Sequence, residues 1–184
     1  MADEVTYLLV DGENIDAVLG GILHQKPEPS QRPRWQHLLD FVERQWACPV
    51  SGLFFINASR GLHAPFAQAL IAIGYRPVPL SGRADEKVVD IAIQRTLDAL
   101  RDRDGNVMLA SHDADFVPQL AALEGLPERR IGLVGFTELV AQQLREVDGL
   151  EIFDLEDDAR AFEFDLPRMR IIPIDRFDPL LFLR

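Results

Sequence analysis

Short apolar runs alternate with amphipathic stretches along nearly the whole chain. Residues 5–10 (VTYLLV) are β-branched and aromatic and stop at the turn pair Asp11-Gly12, which predicts a strand. Trp35, Leu38, Leu39, Val42 and Trp46 recur at helical spacing and share one face. Residues 50–57 (VSGLFFIN) read as a buried strand, and 65–73 as a helix ended by Gly74. Residues 75–80 form a strand that Pro77 and Pro79 push toward a sheet edge, because proline cannot donate to a ladder. The longest predicted helix covers 86–101, and 107–110 (VMLA) is another buried strand. A helix over 116–124 ends at Gly125-Leu126-Pro127. A strand at 131–135, a helix at 138–146 and a last strand at 150–155 follow.

Strands that are continuously apolar and alternate with helices signal a parallel sheet covered on both faces. The pattern predicts a three-layer α/β/α domain of five or six strands, with residues 1–155 as the domain. The three prolines of 25–34 (QKPEPSQRPR) predict a mobile loop. Residues 156–184 break the pattern: an acidic stretch gives way to Ile171-Ile172-Pro173-Ile174 and Leu180-Leu181-Phe182-Leu183. That apolar end needs a partner, either its own domain or a second copy in a homodimer.

Composition narrows the setting. The chain has 184 residues, 47% of them hydrophobic and 27% charged, which suits one globular domain and excludes wholesale disorder. The single cysteine, Cys48, has no disulfide partner and fits a reducing compartment. Met1-Ala2-Asp3-Glu4 is acidic where a secretory signal is basic, and no apolar run approaches a membrane span, so the expectation is a cytoplasmic protein without a membrane partner. The net charge of −11 argues against a protein that coats nucleic acid by charge alone. Its distribution matters more than its size. Residues 146–165 hold nine acids and one base, whereas the other 164 residues hold 21 acids and 18 bases. The acidity therefore does not exclude an RNA substrate.

The candidate chemistry lies at strand ends. Asp11 follows the first strand; Asp113 and Asp115 follow the 107–110 strand in Ser111-His112-Asp113-Ala114-Asp115. In open α/β sheets ligands bind beyond the carboxyl ends of the strands where the order reverses. With the order 3-2-1-4-5, strands one and four are neighbours there, and Asp11 and Asp113 could reach one ion. Asp90, on the long helix, lies at the border between its apolar and polar faces. Four carboxylates brought together need a proton or a cation. An all-oxygen set selects Mg2+ or Mn2+, one ion or two, of the kind that assists phosphoryl displacement.

Three motifs carry a resemblance: Val10-Asp11-Gly12-Glu13-Asn14, Asp85-Glu86-Lys87-Val88-Val89-Asp90 and Ser111-His112-Asp113-Ala114-Asp115-Phe116-Val117-Pro118. Together they resemble the NYN domain, the LabA-like branch of the PIN-like nucleases, over about residues 5–147. The resemblance implies a Rossmann-like fold of order 3-2-1-4-5 and a metal-dependent ribonuclease. It implies Asp11, Asp90, Asp113 and Asp115 as catalytic and metal-binding acids. Asn14, Lys87, Ser111 and His112 would then face substrate. His112 stands where the family usually has glycine. Each motif also has an ordinary reading: Asn14 and Asp115 could be helix caps, Asp90 a solvated helix residue and Asp11-Gly12 a plain turn. A haloacid-dehalogenase-type phosphatase would need a second Asp where Glu13 stands. Arg60, Arg83, Lys87 and Arg95 are candidate phosphate contacts, although they form no dense cluster. The expected activity is metal-dependent endoribonuclease hydrolysis of RNA phosphodiester bonds. The competing expectation is a non-catalytic regulatory or assembly module of the same fold that binds RNA or a protein partner.

Overall fold

In the computed structural model, which describes residues 5–125, 129–169, 172 and 174–183, six strands form one all-parallel sheet. They are β1 (Thr6–Asp11), β2 (Val50–Asn57), β3 (Tyr75–Leu80), β4 (Asn106–Ala110), β5 (Ile131–Gly135) and β6 (Leu150–Asp154), in the order β3-β2-β1-β4-β5-β6. The first five stand as the motifs imply, and β6 extends the sheet. Proline-bearing β3 is an edge strand, where the missing N–H groups of Pro77 and Pro79 break no second ladder.

Because side chains alternate across a sheet, each central strand feeds two cores. Leu8, Val10, Met108, Ala110 and Val134 point to one face. There they meet α1 (Gly12–Leu23), α2 (Trp35–Trp46) and α3 (Ala64–Ala72). Leu9, Val107, Leu109 and Leu133 point to the other, against α4 (Val88–Leu100), α5 (Val117–Leu123) and α6 (Gln142–Arg145). Helix α1, unassigned by the apolar pattern beyond its start, buries Ile15 and Leu19 one turn apart. Its first residue has to be small: a Cβ on Gly12 would stand 2.6 Å from the Phe54 ring.

Two expected elements are broken up. The helix over 138–146 is a 310 turn, Thr137–Leu139, then the single turn of α6. Val140 and Ala141, with ψ of 129° and 141°, are extended between them. Extended backbone lets Val140 enter the core. The helix over 116–124 likewise begins as a 310 turn, Ala114–Phe116, before α5. In the 25–34 loop, Pro29–Gln31 forms a 310 turn closed by reciprocal bonds between Glu28 and Gln31, and Arg32 pairs with Asp16 at 2.8 Å. Leu126 and Pro127 of the predicted helix stop lie outside the described residues.

Past β6 the chain turns back over the first face. Leu155, Ala159, Ala161 and Leu166 are buried in its core, and Phe162 packs against it. Arg168 then enters the interior. Beyond it Met169, Ile174, Leu180 and Leu183 are exposed, while Ile171 and Pro173 of the apolar tail lie outside the described residues. Among the described residues no helix is long and apolar enough to cross a membrane, and Cys48 is a buried free thiol.

Candidate metal centre

The reversal of strand order falls between β1 and β4. From their carboxyl ends α1 leaves to one face and the Ala114–Phe116 turn to the other. The crevice opened there is where this class of sheet binds its ligands. Asp11 closes β1 and is only 2% exposed. One of its oxygens accepts the Asn14 N–H at 3.2 Å and the other the Ser111 hydroxyl at 3.0 Å. Asp11, not Asn14, is thus the cap of α1, and Asp113, not Asp115, caps the next turn by accepting the Asp115 N–H at 2.9 Å. Capping fixes both carboxylates at the crevice. Burial pushes the Asp11 pKa up to about 6. The two hydrogen bonds oppose that rise, and the charges of Asp90 and Asp113 add to it.

Above Asp11, the structure brings Asp90, Asp113 and Asp115 together, with one oxygen of each within 4.8 Å of the others. Asp11 is not in this tight set, although it feels two of its charges. Around one octahedral Mg2+ or Mn2+, adjacent ligand oxygens stand about 3 Å apart and opposite ones about 4.2 Å, so the trio has to draw in to share one ion. Three carboxylates with no nitrogen or sulfur donor suit such a hard ion. Asp115 is the exposed member, and its freedom permits that closure.

Lys87 supplies a positive charge. Its ammonium group lies 3.2 Å from Asp115 and 3.3 Å from Asp90, and it is otherwise open to solvent. The bonds to Asp115 and Asp90 raise its pKa. It is therefore charged and bridges two of the three acids. Glu13, part of the first motif but assigned no role from it, also belongs to this rim. Partial burial and the Asp90 charge raise its pKa, against a backbone hydrogen bond at Asn57. Its position two residues after Asp11, within the first turn of α1, was the available signal.

Ser111 and His112 lie beneath the rim. Ser111 is fully buried; its hydroxyl donates to Asp11 and accepts the Asp113 N–H at 3.3 Å. His112 is 6% exposed, with both ring nitrogens engaged. Its Nε2 accepts the Phe136 N–H at 2.7 Å, so the proton is on Nδ1, which donates to Asn14 Oδ1 at 2.9 Å. The same Asn14 oxygen accepts the His112 main-chain N–H at 2.9 Å. Burial, aided by Arg168, lowers the His112 pKa to about 4 against the pull of Glu138 and Asp154, which keeps the ring neutral. Arg60, Arg83 and Arg95 are all exposed; Arg83 stands 3.9 Å from Asp85.

A second acidic group, Asp154, Glu156 and Asp157, already has a cation. The Arg168 guanidinium, 1% exposed, pairs with Asp154 and Glu156 at 2.7 Å each and with Glu138. Burial favours a neutral Asp154, but the bonds from Arg168 and from the Asp157 and Thr137 N–H groups outweigh it and hold the carboxyl below its usual range. This group is an internal clasp.

Among curated proteins none matches the chain. Among solved structures, a protein of unknown function from Vibrio parahaemolyticus is similar over 85% of this chain and 95% of its own, with 18% identity and a TM-score of 0.66. At that identity the likeness speaks for the fold alone. The family model of the NYN domain matches residues 5–156, spanning all six strands and every acid of the crevice. The chain therefore belongs to the NYN domain family, a family of PIN-like nucleases.

Proposed function

We propose that this protein is a metal-dependent endoribonuclease. One observation carries the reading: Asp90, Asp113 and Asp115 converge over buried Asp11 at the β1/β4 reversal of a chain in a nuclease family. In this reading the trio holds Mg2+ or Mn2+, with Asp11 supporting it from below. Such an ion supplies a Lewis acid and an activated water for in-line displacement at a phosphodiester. Lys87 turns from Asp115 toward a substrate phosphate, while Ser111, His112 and Asn14 keep the acids in place instead of meeting RNA themselves. Exposed Arg60 and Arg83, on the loops after β2 and β3, extend the contact along the strand. The buried free thiol suits a cytoplasmic setting.

The test is cleavage of single-stranded and structured RNAs by the purified chain with Mg2+ or Mn2+, against chelator. Cleavage that Asp113→Asn reduces by at least about 100-fold is expected, since each such ligand supports the same activated water. No cleavage of any substrate, or full activity in that variant, overturns the reading. The exposed apolar residues Met169, Ile172, Ile174, Phe177, Leu180 and Leu183 favour a second one, a non-catalytic assembly module that pairs with its own copy. Concentration-dependent dimerisation abolished by Ile174→Glu with Leu180→Glu, and no cleavage, would support it.

A further inference from the structure

The ring of His112 does not end the chain of contacts beneath the acids. Phe136, fully buried, lies parallel to it with centroids 5.5 Å apart and planes 12° apart. Phe162, from the segment after β6, stacks on Phe136 at 5.8 Å and 26°. The Arg168 guanidinium stands over the Phe136 ring at 4.8 Å, locked there by Glu138, Asp154 and Glu156. Gly135 makes room for this column: a Cβ there would come within 2.7 Å of His112 Nε2. At the upper end, His112 holds the Asn14 oxygen by two donors, and it is bonded directly to Asp113 along the chain.

We propose that residues 155–168 are a working part of the metal centre, acting through the column Phe162–Phe136–His112 to hold Asn14 and the turn that carries Asp113. This rests on the crevice being an ion site. His112, Phe136 and Phe162 are positioning residues, since the first two are buried and the third packs against the core. The imidazole of His112 gives the column something to press on.

The test pairs two truncations of partly buried side chains in the same core. Phe162→Ala removes the outer ring of the column, and Ile73→Ala removes a core contact where α3 runs back to the opposite edge of the sheet. Each variant is read by calorimetric Mn2+ titration and by the NMR signal of the His112 Nδ1–H proton. Phe162→Ala is expected to weaken Mn2+ binding about 10-fold and to broaden or shift that signal, and Phe162→Tyr to restore both. Ile73→Ala, at similar loss of melting temperature, should leave both within about twofold of the parent. If Phe162→Ala fails to fold, Phe162→Leu keeps the bulk and removes the ring, and the same comparison holds. Indistinguishable effects of the two truncations overturn the proposal. A parent chain that binds Mn2+ but cleaves no RNA overturns the ribonuclease reading alone. A parent that binds no Mn2+ overturns the ion site and, with it, this proposal.

Discussion

Asp11 is held where an ionised carboxylate is costly. Its native pKa of about 6 lies above the unfolded value, so its ionisation penalises the fold. The penalty is absent near pH 4, grows as pH rises through 4–6, and is complete above that range. Asp11→Asn should therefore raise the melting temperature of the ion-free protein at pH 8, by up to about 3 kcal/mol of stability, with the gain vanishing at pH 4. Thermal melts at the two pH values check it. Lys87 presents the converse case, a cation that competes with an ion for Asp90 and Asp115. Lys87→Met should tighten Mn2+ binding severalfold by calorimetry while lowering the cleavage rate, because the charge aimed at phosphate is gone. At this scale the acids were legible because strand ends and helix starts are marked in the sequence. The roles of Asn14, Ser111 and His112 were not. Whether a hydroxyl or an imidazole faces solvent or bonds inward depends on neighbours about 100 residues away.

Among the elements, strands were the most legible, since an unbroken apolar run in a buried parallel sheet leaves few alternatives. Helix α1 was harder to assign because its small residues Gly12, Gly20 and Gly21 dilute the apolar face, although Ile15, Val18, Leu19 and Ile22 keep helical spacing. The 138–146 stretch misled in the other direction. Its pattern is helical, but core packing of Val140 pulls the backbone out of the helix, an override of local preference by tertiary contact. The end of β5 offers a sharp check at this level. Gly135→Ala places a methyl against His112 Nε2, an overpacking of about 1–3 kcal/mol. The variant should melt earlier and lose Mn2+ affinity together. A change at an exposed position of β3, such as Arg76→Ala, should alter neither.

For the whole molecule, the net charge of −11 resolves into parts with different uses. Three acids clasp Arg168 and tie the chain after β6 to the β5 end, three face the crevice, and one lies under them. The clasp predicts an acid limit. Asp154 has its native pKa below the unfolded value, so its stabilisation is complete above about pH 4 and is lost as pH falls toward the native value. Asp154→Asn should cost about 3 kcal/mol or more at pH 7, as when one partner of a buried pair is removed. Urea unfolding should show its stability falling less steeply below pH 4 than that of the parent.

Asp11 bonds to Ser111 across a separation of 100 residues, and β1 lies between two strands that follow it in the chain. Synthesis runs from the amino terminus, so the first carboxylate of the crevice is made long before its partners. Asp113 and Asp115 arrive after more than a hundred residues, and the arginine that locks the supporting column arrives later still. A growing chain on the ribosome thus lacks the full set of crevice acids until Asp115 is added, and their arginine-locked support until Arg168 is added.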